Sequence, residues 1–140
     1  MYEYRVENIK VIDGDTVDVD IDLGFGVWMK KQRIRLYNID TPESRTKDKV
    51  EKVFGLASKK RLEDILSMSD DIILRSVQDA RGKFGRILGD FIIDDLSGTC
   101  GDILCTEGYA VRYGGQNKEE IQEEHLKNRD RLIQEGKVVL

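Results

Sequence analysis

The sequence predicts an α+β domain in which five short strands close into a barrel and three helices pack around it. Two observations carry this prediction. Apolar and polar residues alternate with the period of a strand in the amino-terminal third of the chain, and apolar residues recur at helical spacing from position 50 onward. Two further strand-like runs then precede two helical segments, so the predicted order is strands, helix, strands and helices.

The amino-terminal strands are predicted first. Residues 2–12 form the first strand, and the dipeptide Asp13-Gly14 marks a turn. Residues 16–23 form the second strand, because apolar residues alternate with acids there. Four of its residues are predicted to face the core: Val17, Val19, Ile21 and Leu23. Its three acids are predicted to face water: Asp18, Asp20 and Asp22.

The remaining elements follow in order. A third strand is predicted for about 27–39, and a helix for 50–67, where Gly55 costs up to ~1 kcal/mol. A fourth strand begins at 72 and a fifth spans 86–94, before helices at 102–107 and 118–135. In the last helix Ile121, His125 and Leu132 share one face, so we expect His125 to pack beside core residues. Five strands with a helix between the third and fourth are typical of an OB-fold.

Composition limits the class of protein. The 140 residues are expected to form one domain, 1–140, with 39% apolar and 36% charged residues. A net charge of −4 argues against a protein that coats nucleic acid non-specifically. No apolar run approaches a membrane span, and the start of the chain has no signal-peptide core. We therefore expect no membrane partner, a cytoplasmic monomer as written, and secretion only if a leader was removed.

Three acids are candidates for a metal site. Asp15 begins the second strand, while Asp40 and Glu43 follow the third. Oxygen ligands without cysteine or histidine favour a hard cation, calcium or magnesium. Pro42 restricts Thr41 to extended geometry, which can turn the Thr41 carbonyl toward a metal. Acids near turns are more often merely solvated, so spacing alone leaves that alternative open.

Arg35 and Arg86 are the candidate phosphate-binding cations. Arginine donates two parallel hydrogen bonds to phosphate oxygens and stays charged. Arg35 precedes the acids by one strand segment, and Arg86 begins the fifth strand. Two arginines and a divalent ion would stabilise charge on a reacting phosphodiester. Taken singly, each arginine could equally be an ordinary surface residue.

Together these residues resemble the staphylococcal nuclease, or thermonuclease, family. The resemblance is carried by Val-Ile-Asp-Gly-Asp-Thr-Val at 11–17, by Arg35 with Asp-Thr-Pro-Glu at 40–43, and by Gly-Lys-Phe-Gly-Arg at 82–86. Glu-Gly-Tyr-Ala at 107–110 and Glu-His-Leu at 124–126 add weaker support. The order and spacing of these motifs match over about residues 5–135.

The resemblance implies a five-stranded OB-fold barrel with three helices, and roles for the motif residues. Asp15, Asp40 and the Thr41 carbonyl would bind calcium. Glu43 would position or deprotonate the attacking water, and Arg35 and Arg86 would clamp the phosphate. The remaining implied site residues are Asp13 and Thr16, which would orient the ligand acids, and Lys83, Phe84 and Tyr113, which would bind substrate.

The implied activity is a calcium-dependent nuclease. Such an enzyme hydrolyses DNA and RNA, preferably single-stranded, with little base specificity, and cuts the 5′ P–O bond to leave 3′-phosphates. Phe84 stands where the family commonly has tyrosine, so a hydrogen-bond donor to substrate is missing. The acidic balance predicts weaker, more salt-sensitive capture of substrate. The alternative is a non-catalytic OB-fold module that binds nucleic acid or protein.

Overall fold

A computed structural model describes residues 2–81, 86–93 and 98–140 of the chain. Within these ranges three helices are present: α1 (Lys49–Leu66), α2 (Cys100–Glu107) and α3 (Lys118–Gln134). The same ranges contain seven strands: β1 (Tyr2–Asp13), β2 (Thr16–Gly24), β3 (Val27–Leu36), β4 (Ile39–Asp40), β5 (Ile72–Arg81), β6 (Ile87–Ile93) and β7 (Val111–Arg112).

Five of the strands form a closed barrel in the order β1-β2-β3-β6-β5. The β3–β6 pair is parallel and the other pairs are antiparallel. Counted over the described residues, this five-stranded barrel with three helices confirms the fold class predicted from the sequence. The small β4–β7 sheet is additional.

The end of the third strand differs from the prediction. The sequence predicted one strand to residue 39, whereas β3 ends at Leu36 and a turn follows. Asn38 adopts a positive φ of 60°, a conformation that breaks a strand. The chain therefore leaves the barrel, and Ile39 and Asp40 pair instead with Arg112 and Val111. This break gives Asp40 a neighbour from the carboxyl-terminal part of the chain.

The core fills the barrel and extends under the helices. The strands contribute fully buried apolar side chains, and α1 and α2 cover one side with Leu62, Ile65 and Leu104. A second cluster joins Phe54 of α1 to Leu132 of α3. These contacts fix the helices against the barrel, since apolar burial is the main favourable term in folding.

The predicted alternation along β2 is wrong at two residues. Asp20, predicted to face water, is only 7% exposed, and Leu23, predicted to face the core, is 40% exposed. Register shifts in both neighbouring strands lie beside Asp20, one between Glu7 and Lys10 and the other opposite residues 19–21, and Leu23 lies at a further shift between Asp22 and Gly24. An extra residue in a strand bends it and leaves a donor unpaired.

Asp20 supplies the acceptors for these irregularities. Its carboxylate accepts hydrogen bonds from Asn8 Nδ2 at 2.8 Å and from the Lys31 backbone N–H at 2.8 Å. Asn8 and Lys31 both have a φ of 53°, so each marks an irregular position. The Asn8 amide, followed by the Lys31 N–H, lowers the pKa of Asp20 below its ordinary value. Asp20 is thus a structural acid that joins three strands.

The helix ends follow local capping rules. The side chain of Asp48 accepts the N–H groups of Val50 and Glu51 at the start of α1. Thr99 caps α2, which therefore begins two residues before the predicted start, and Gly108 ends it in the left-handed conformation. A search of the described residues finds none of these helices long and apolar enough to cross a membrane.

Candidate active site

The base of the β2–β3 hairpin brings Asp15 and Arg35 together. Thr16 pairs with Arg35 across the two strands, and the Leu36 N–H donates to the Asp15 carbonyl at 2.8 Å. Arg35 Nη2 consequently lies 3.3 Å from Asp15 Oδ2. Both side chains are mostly buried, at 20% and 17% exposure. Two residues twenty positions apart therefore form an ion pair that solvent only partly screens.

Arg35 also supports the segment that carries Asp40. Its Nη1 donates to the Leu36 carbonyl at 2.7 Å and its Nη2 to the Ile39 carbonyl at 3.0 Å. Because Ile39 directly precedes Asp40, one guanidinium connects the two predicted metal ligands. These contacts use at most three of the five N–H donors of an arginine.

Thr16 and Asp13 support the acids in different ways. The Thr16 hydroxyl donates to Asp15 Oδ1 at 3.0 Å, so Thr16 contacts the acid that it was predicted to orient. Asp13 instead accepts a hydrogen bond from the hydroxyl of the buried Ser44. Since Ser44 follows Glu43, this bond holds the segment on which Glu43 stands.

Glu43 lies in an acidic environment. Its backbone N–H donates to Glu51 Oε2 of α1 at 3.0 Å. Partial loss of solvent, followed by the negative charges of Asp15, Asp13 and Asp40, raises the pKa of the Glu43 carboxyl. The residue itself still reaches solvent. Three neighbouring acids therefore repel the Glu43 carboxylate, and a bound cation would relieve that repulsion.

The donor set fits a hard cation held by few protein ligands. The described residues contain no group of three His, Cys, Asp or Glu side chains that could enclose a metal ion. The predicted set needs only two carboxylates, those of Asp15 and Asp40, together with the Thr41 carbonyl. Such oxygen ligands suit calcium or magnesium, with waters and substrate completing the coordination. The position of Glu43 beside Asp15, Asp13 and Asp40, which contributes to its raised pKa, favours a cation here.

Two glycines allow α1 to press against the acid-bearing segments. A Cβ on Gly55 would lie 2.3 Å from the Glu43 carbonyl oxygen. A Cβ on Gly14 would lie 2.8 Å from Cβ of Ser58, a residue that is itself buried. Sequence reasoning treated Gly55 only as a weak point of the helix and Gly14 only as a turn residue. Their role in close packing depends on tertiary contacts, which no local pattern reveals.

A pocket of about 290 Å³ adjoins the arginines. Arg35 and Arg86 both line it, with Tyr37, Leu88 and Tyr113 among its other walls. The parallel β3–β6 pairing sets Arg35 opposite Leu88 and so brings Arg86 to the same end of the barrel. The pocket therefore combines two cations with apolar and aromatic surface.

The predicted substrate-binding residues are only partly described. Tyr113 lines the pocket, is 47% exposed and donates its backbone N–H to the Asn38 carbonyl at 2.8 Å. Lys83 and Phe84 lie outside the described residues. The predicted role of Tyr113 in substrate binding stays a prediction, now with a position beside both arginines.

His125 is a neighbour of the site that sequence reasoning missed. It was expected to pack beside core residues, and it is indeed buried with Ile121 and Leu132. However, its Nε2 also lies 2.7 Å from Asp40 Oδ2, a contact that spans 85 positions. The Glu-His-Leu motif at 124–126 pointed to this part of α3, but nothing in the motif pointed to Asp40.

Fold and site together define a class: a small OB-type barrel whose acids and arginines meet beside an aromatic pocket. A family model described as staphylococcal nuclease homologue matches residues 33–140. The chain belongs to this family. The matched segment contains Arg35, Asp40, Glu43 and Arg86, and the ion pair with Arg35 adds Asp15 to the same site.

A curated relative is the Endonuclease YhcR of Bacillus subtilis (strain 168). It is 28% identical to this chain over an alignment of 116 residues, and the match covers 79% of the chain. The same match covers 9% of the relative, so the chain corresponds to a small part of that protein.

Proposed function

We propose that this chain is a calcium-dependent nuclease that hydrolyses phosphodiester bonds of DNA and RNA with little base specificity. The observation that carries the proposal is the position of Arg35. Its guanidinium contacts Asp15 and the carbonyl before Asp40, and it also lines the pocket that Arg86 lines. Family membership and the relationship to an endonuclease support the same activity.

Asp15, Asp40 and the Thr41 carbonyl would hold the calcium ion. When bound, calcium would stabilise negative charge on the phosphodiester and its transition state. Thr16 keeps Asp15 oriented through its hydrogen bond to Oδ1. Asp13 keeps the Glu43 segment in place through Ser44. These contacts reduce the reorganisation that binding requires.

Glu43 would accept the proton of the attacking water, or position that water. Its raised pKa makes the carboxylate a better proton acceptor than an ordinary glutamate. Calcium would lower this pKa again by its charge, so the two effects oppose each other in the loaded enzyme. Glu43 needs no direct bond to the ion for this role.

Arg35 and Arg86 would bind the phosphate oxygens and stabilise the charge that develops as water attacks phosphorus in line. Cleavage of the 5′ P–O bond would leave a 3′-phosphate. The aromatic and apolar walls around Tyr113 and Leu88 would accept a base by stacking. Phosphate contacts and stacking read no sequence, and a base must be unpaired to enter, which favours single strands.

The test is a cleavage assay on denatured DNA and on RNA with calcium, with magnesium and with chelator. The proposal predicts calcium-dependent cleavage by the 140-residue chain acting as a single-domain monomer, and end-group analysis should find 3′-phosphates. Activity should also fall as salt rises, because Arg35 and Arg86 would bind the phosphates through their charge. Absence of calcium-dependent cleavage by folded protein would refute the proposal and favour the non-catalytic binding module.

A further inference from the structure

Helix α3 contacts the β4–β7 sheet through two polar side chains one turn apart. His125 Nε2 lies 2.7 Å from Asp40 Oδ2 of β4. Asn128 Nδ2 donates to the carbonyl of Ala110, just before β7, at 3.3 Å. Residues three apart share a helix face, so α3 reaches both strands from one side. Only the His125 contact involves a side chain of the candidate metal site.

The direction of the His125 contact follows from its partner. An ionised carboxylate can only accept hydrogen bonds, so Nε2 carries the proton and donates it to Asp40. The histidine side chain is 9% exposed, whereas that of Asp40 is 38% exposed. A rigid, buried donor therefore holds Oδ2 of a carboxylate that is otherwise open to solvent, while Oδ1 remains available to a ligand.

Asp40 needs such a restraint because its side chain is 38% exposed, at the end of a strand of two residues. An Asp side chain that can rotate must lose that freedom when it binds an ion. Partners that orient a ligating carboxylate reduce this cost, and removing them typically weakens metal binding.

We propose that His125 is a positioning residue for the calcium ligand Asp40: by holding Oδ2 it presents Oδ1 to the ion. This inference rests on the proposed function, since it assigns a role toward the calcium of that site. It adds a residue of α3 to the proposed calcium site, although none of the residues predicted to contact metal, phosphate or water lies in α3.

The competing explanation is that the contact merely docks α3 against the barrel. Asn128 provides the matched control, because it docks the same helix on the residue just before β7, and its hydrogen bond does not involve Asp40. His125→Phe keeps an aromatic ring in the buried site but removes the donor. His125→Gln restores an amide N–H near the position of Nε2.

The experiment measures calcium affinity by isothermal titration calorimetry, with no substrate present, for wild type, His125→Phe, His125→Gln and Asn128→Ala. Circular dichroism establishes that each protein is folded at the titration temperature. We expect His125→Phe to bind calcium about 10-fold more weakly, a loss typical of removing the partner of a ligating group. His125→Gln should recover most of the affinity, and Asn128→Ala should bind as wild type does while unfolding at a lower temperature.

The following outcomes would overturn the inference. Wild-type affinity in His125→Phe, or tighter binding, would show that Asp40 needs no help from His125. An equal loss in Asn128→Ala would reduce the contact to helix docking, as would failure of His125→Gln to recover. If wild type binds no calcium, both the proposed function and this inference fail; if wild type binds and His125→Phe is unaffected, only the positioning role fails.

Discussion

Two arginine–aspartate pairs cross the same hairpin, and they are built differently. In the middle of the hairpin, Arg33 donates from Nε to Asp18 Oδ1 at 2.8 Å and from Nη2 to Asp18 Oδ2 at 3.0 Å. At its base, Arg35 Nη2 lies 3.3 Å from Asp15 Oδ2. The same guanidinium donates hydrogen bonds to the backbone carbonyls of Leu36 and Ile39. In the first pair each side chain makes two hydrogen bonds to the other, whereas in the second pair the arginine also binds the backbone next to Asp40.

The pKa values of the acids also differ between the two regions. The hydrogen bond from Arg33 lowers the pKa of Asp18, and donors from two strands lower that of Asp20. At the base, loss of solvent and neighbouring acids raise the pKa of Glu43. Asp18 and Asp20 thus have hydrogen-bond donors that stabilise their ionised forms, whereas the Glu43 carboxyl keeps a raised pKa beside other acids and would gain from a cation supplied from outside. We take this difference as the mark of a binding site beside a structural region.

The largest effect is expected from the acid proposed to act on water. Glu43→Gln should lower the rate of cleavage by about 10²–10⁴-fold, the usual contribution of a general base, and leave calcium affinity largely intact. Asp15→Asn should weaken calcium binding itself. Single-turnover cleavage and calorimetry on both variants separate the two roles. A comparable loss of calcium affinity in the two variants would show that Glu43 binds the ion directly.

The two arginines offer the next comparison. Arg35→Lys should lower the cleavage rate by about 10²–10³-fold, because an ammonium cannot replace the fork that contacts Asp15, the backbone and phosphate. Arg33→Lys is the matched control on the same strand, where half of the side chain is exposed. Its cleavage rate should stay within about 2-fold of wild type, since exposed pairs contribute little. Equal losses in the two variants would contradict the distinction between the regions.

Gly55 tests whether α1 holds the base in position. Alanine normally stabilises a helix relative to glycine by about 1 kcal/mol. Here Gly55→Ala should lower the free energy of unfolding by about 1–3 kcal/mol and lower activity as well, because its Cβ would meet the Glu43 carbonyl at 2.3 Å. Leu56→Ala, at an exposed neighbouring position, is the control. A stabilised and fully active Gly55→Ala protein would exclude this packing role.

Asp20 and Glu43 should respond in opposite directions when the metal is removed. Asp20 has a pKa below its ordinary 3.8, so its ionised form stabilises the fold above about pH 3.8, and this contribution is lost as pH falls through the lowered pKa. Glu43 has a pKa above its ordinary 4.5, so its ionised form destabilises the metal-free fold at neutral pH, a penalty that vanishes below pH 4.5.

Thermal unfolding in chelator at pH 7 measures both effects. Asp20→Asn should lower the Tm and Glu43→Gln should raise it, each by the order of a few degrees. The rise in Glu43→Gln should disappear as the pH is brought below 4.5. A lower Tm in Glu43→Gln at neutral pH would mean that the acids at the base do not repel one another as described.

The sequence predicted the elements that local patterns determine. Barrel strands, helices and the motifs around Asp15, Arg35 and Asp40 could be recognised because alternation, turn residues and motif order are encoded over short stretches. The bulges opposite Asp20 could not, because Asn8 and Lys31 adopt positive φ in strands whose composition gives no warning. The break at Asn38 likewise became visible only through the pairing of β4 with β7.

Long-range contacts account for the rest of what was missed. The His125–Asp40 bond joins residues 85 positions apart, and the fit of Gly55 against Glu43 depends on how α1 lies on the loop. Neither follows from residue type or periodicity. Both concern the base of the hairpin, so the parts of the site that sequence reasoning found are supported by parts that only the fold reveals.

Calcium-dependent thermal unfolding tests the central claim most directly, namely that the acids at the base are arranged for a cation. Wild type in calcium at about 100 times its dissociation constant should gain about 2.7 kcal/mol of stability over wild type in chelator, seen as a higher Tm. Asp15→Asn should lose most of that gain, whereas Asp18→Asn, in the middle of the hairpin, should keep it. A calcium response that is absent in wild type, or equal in both variants, would contradict the account.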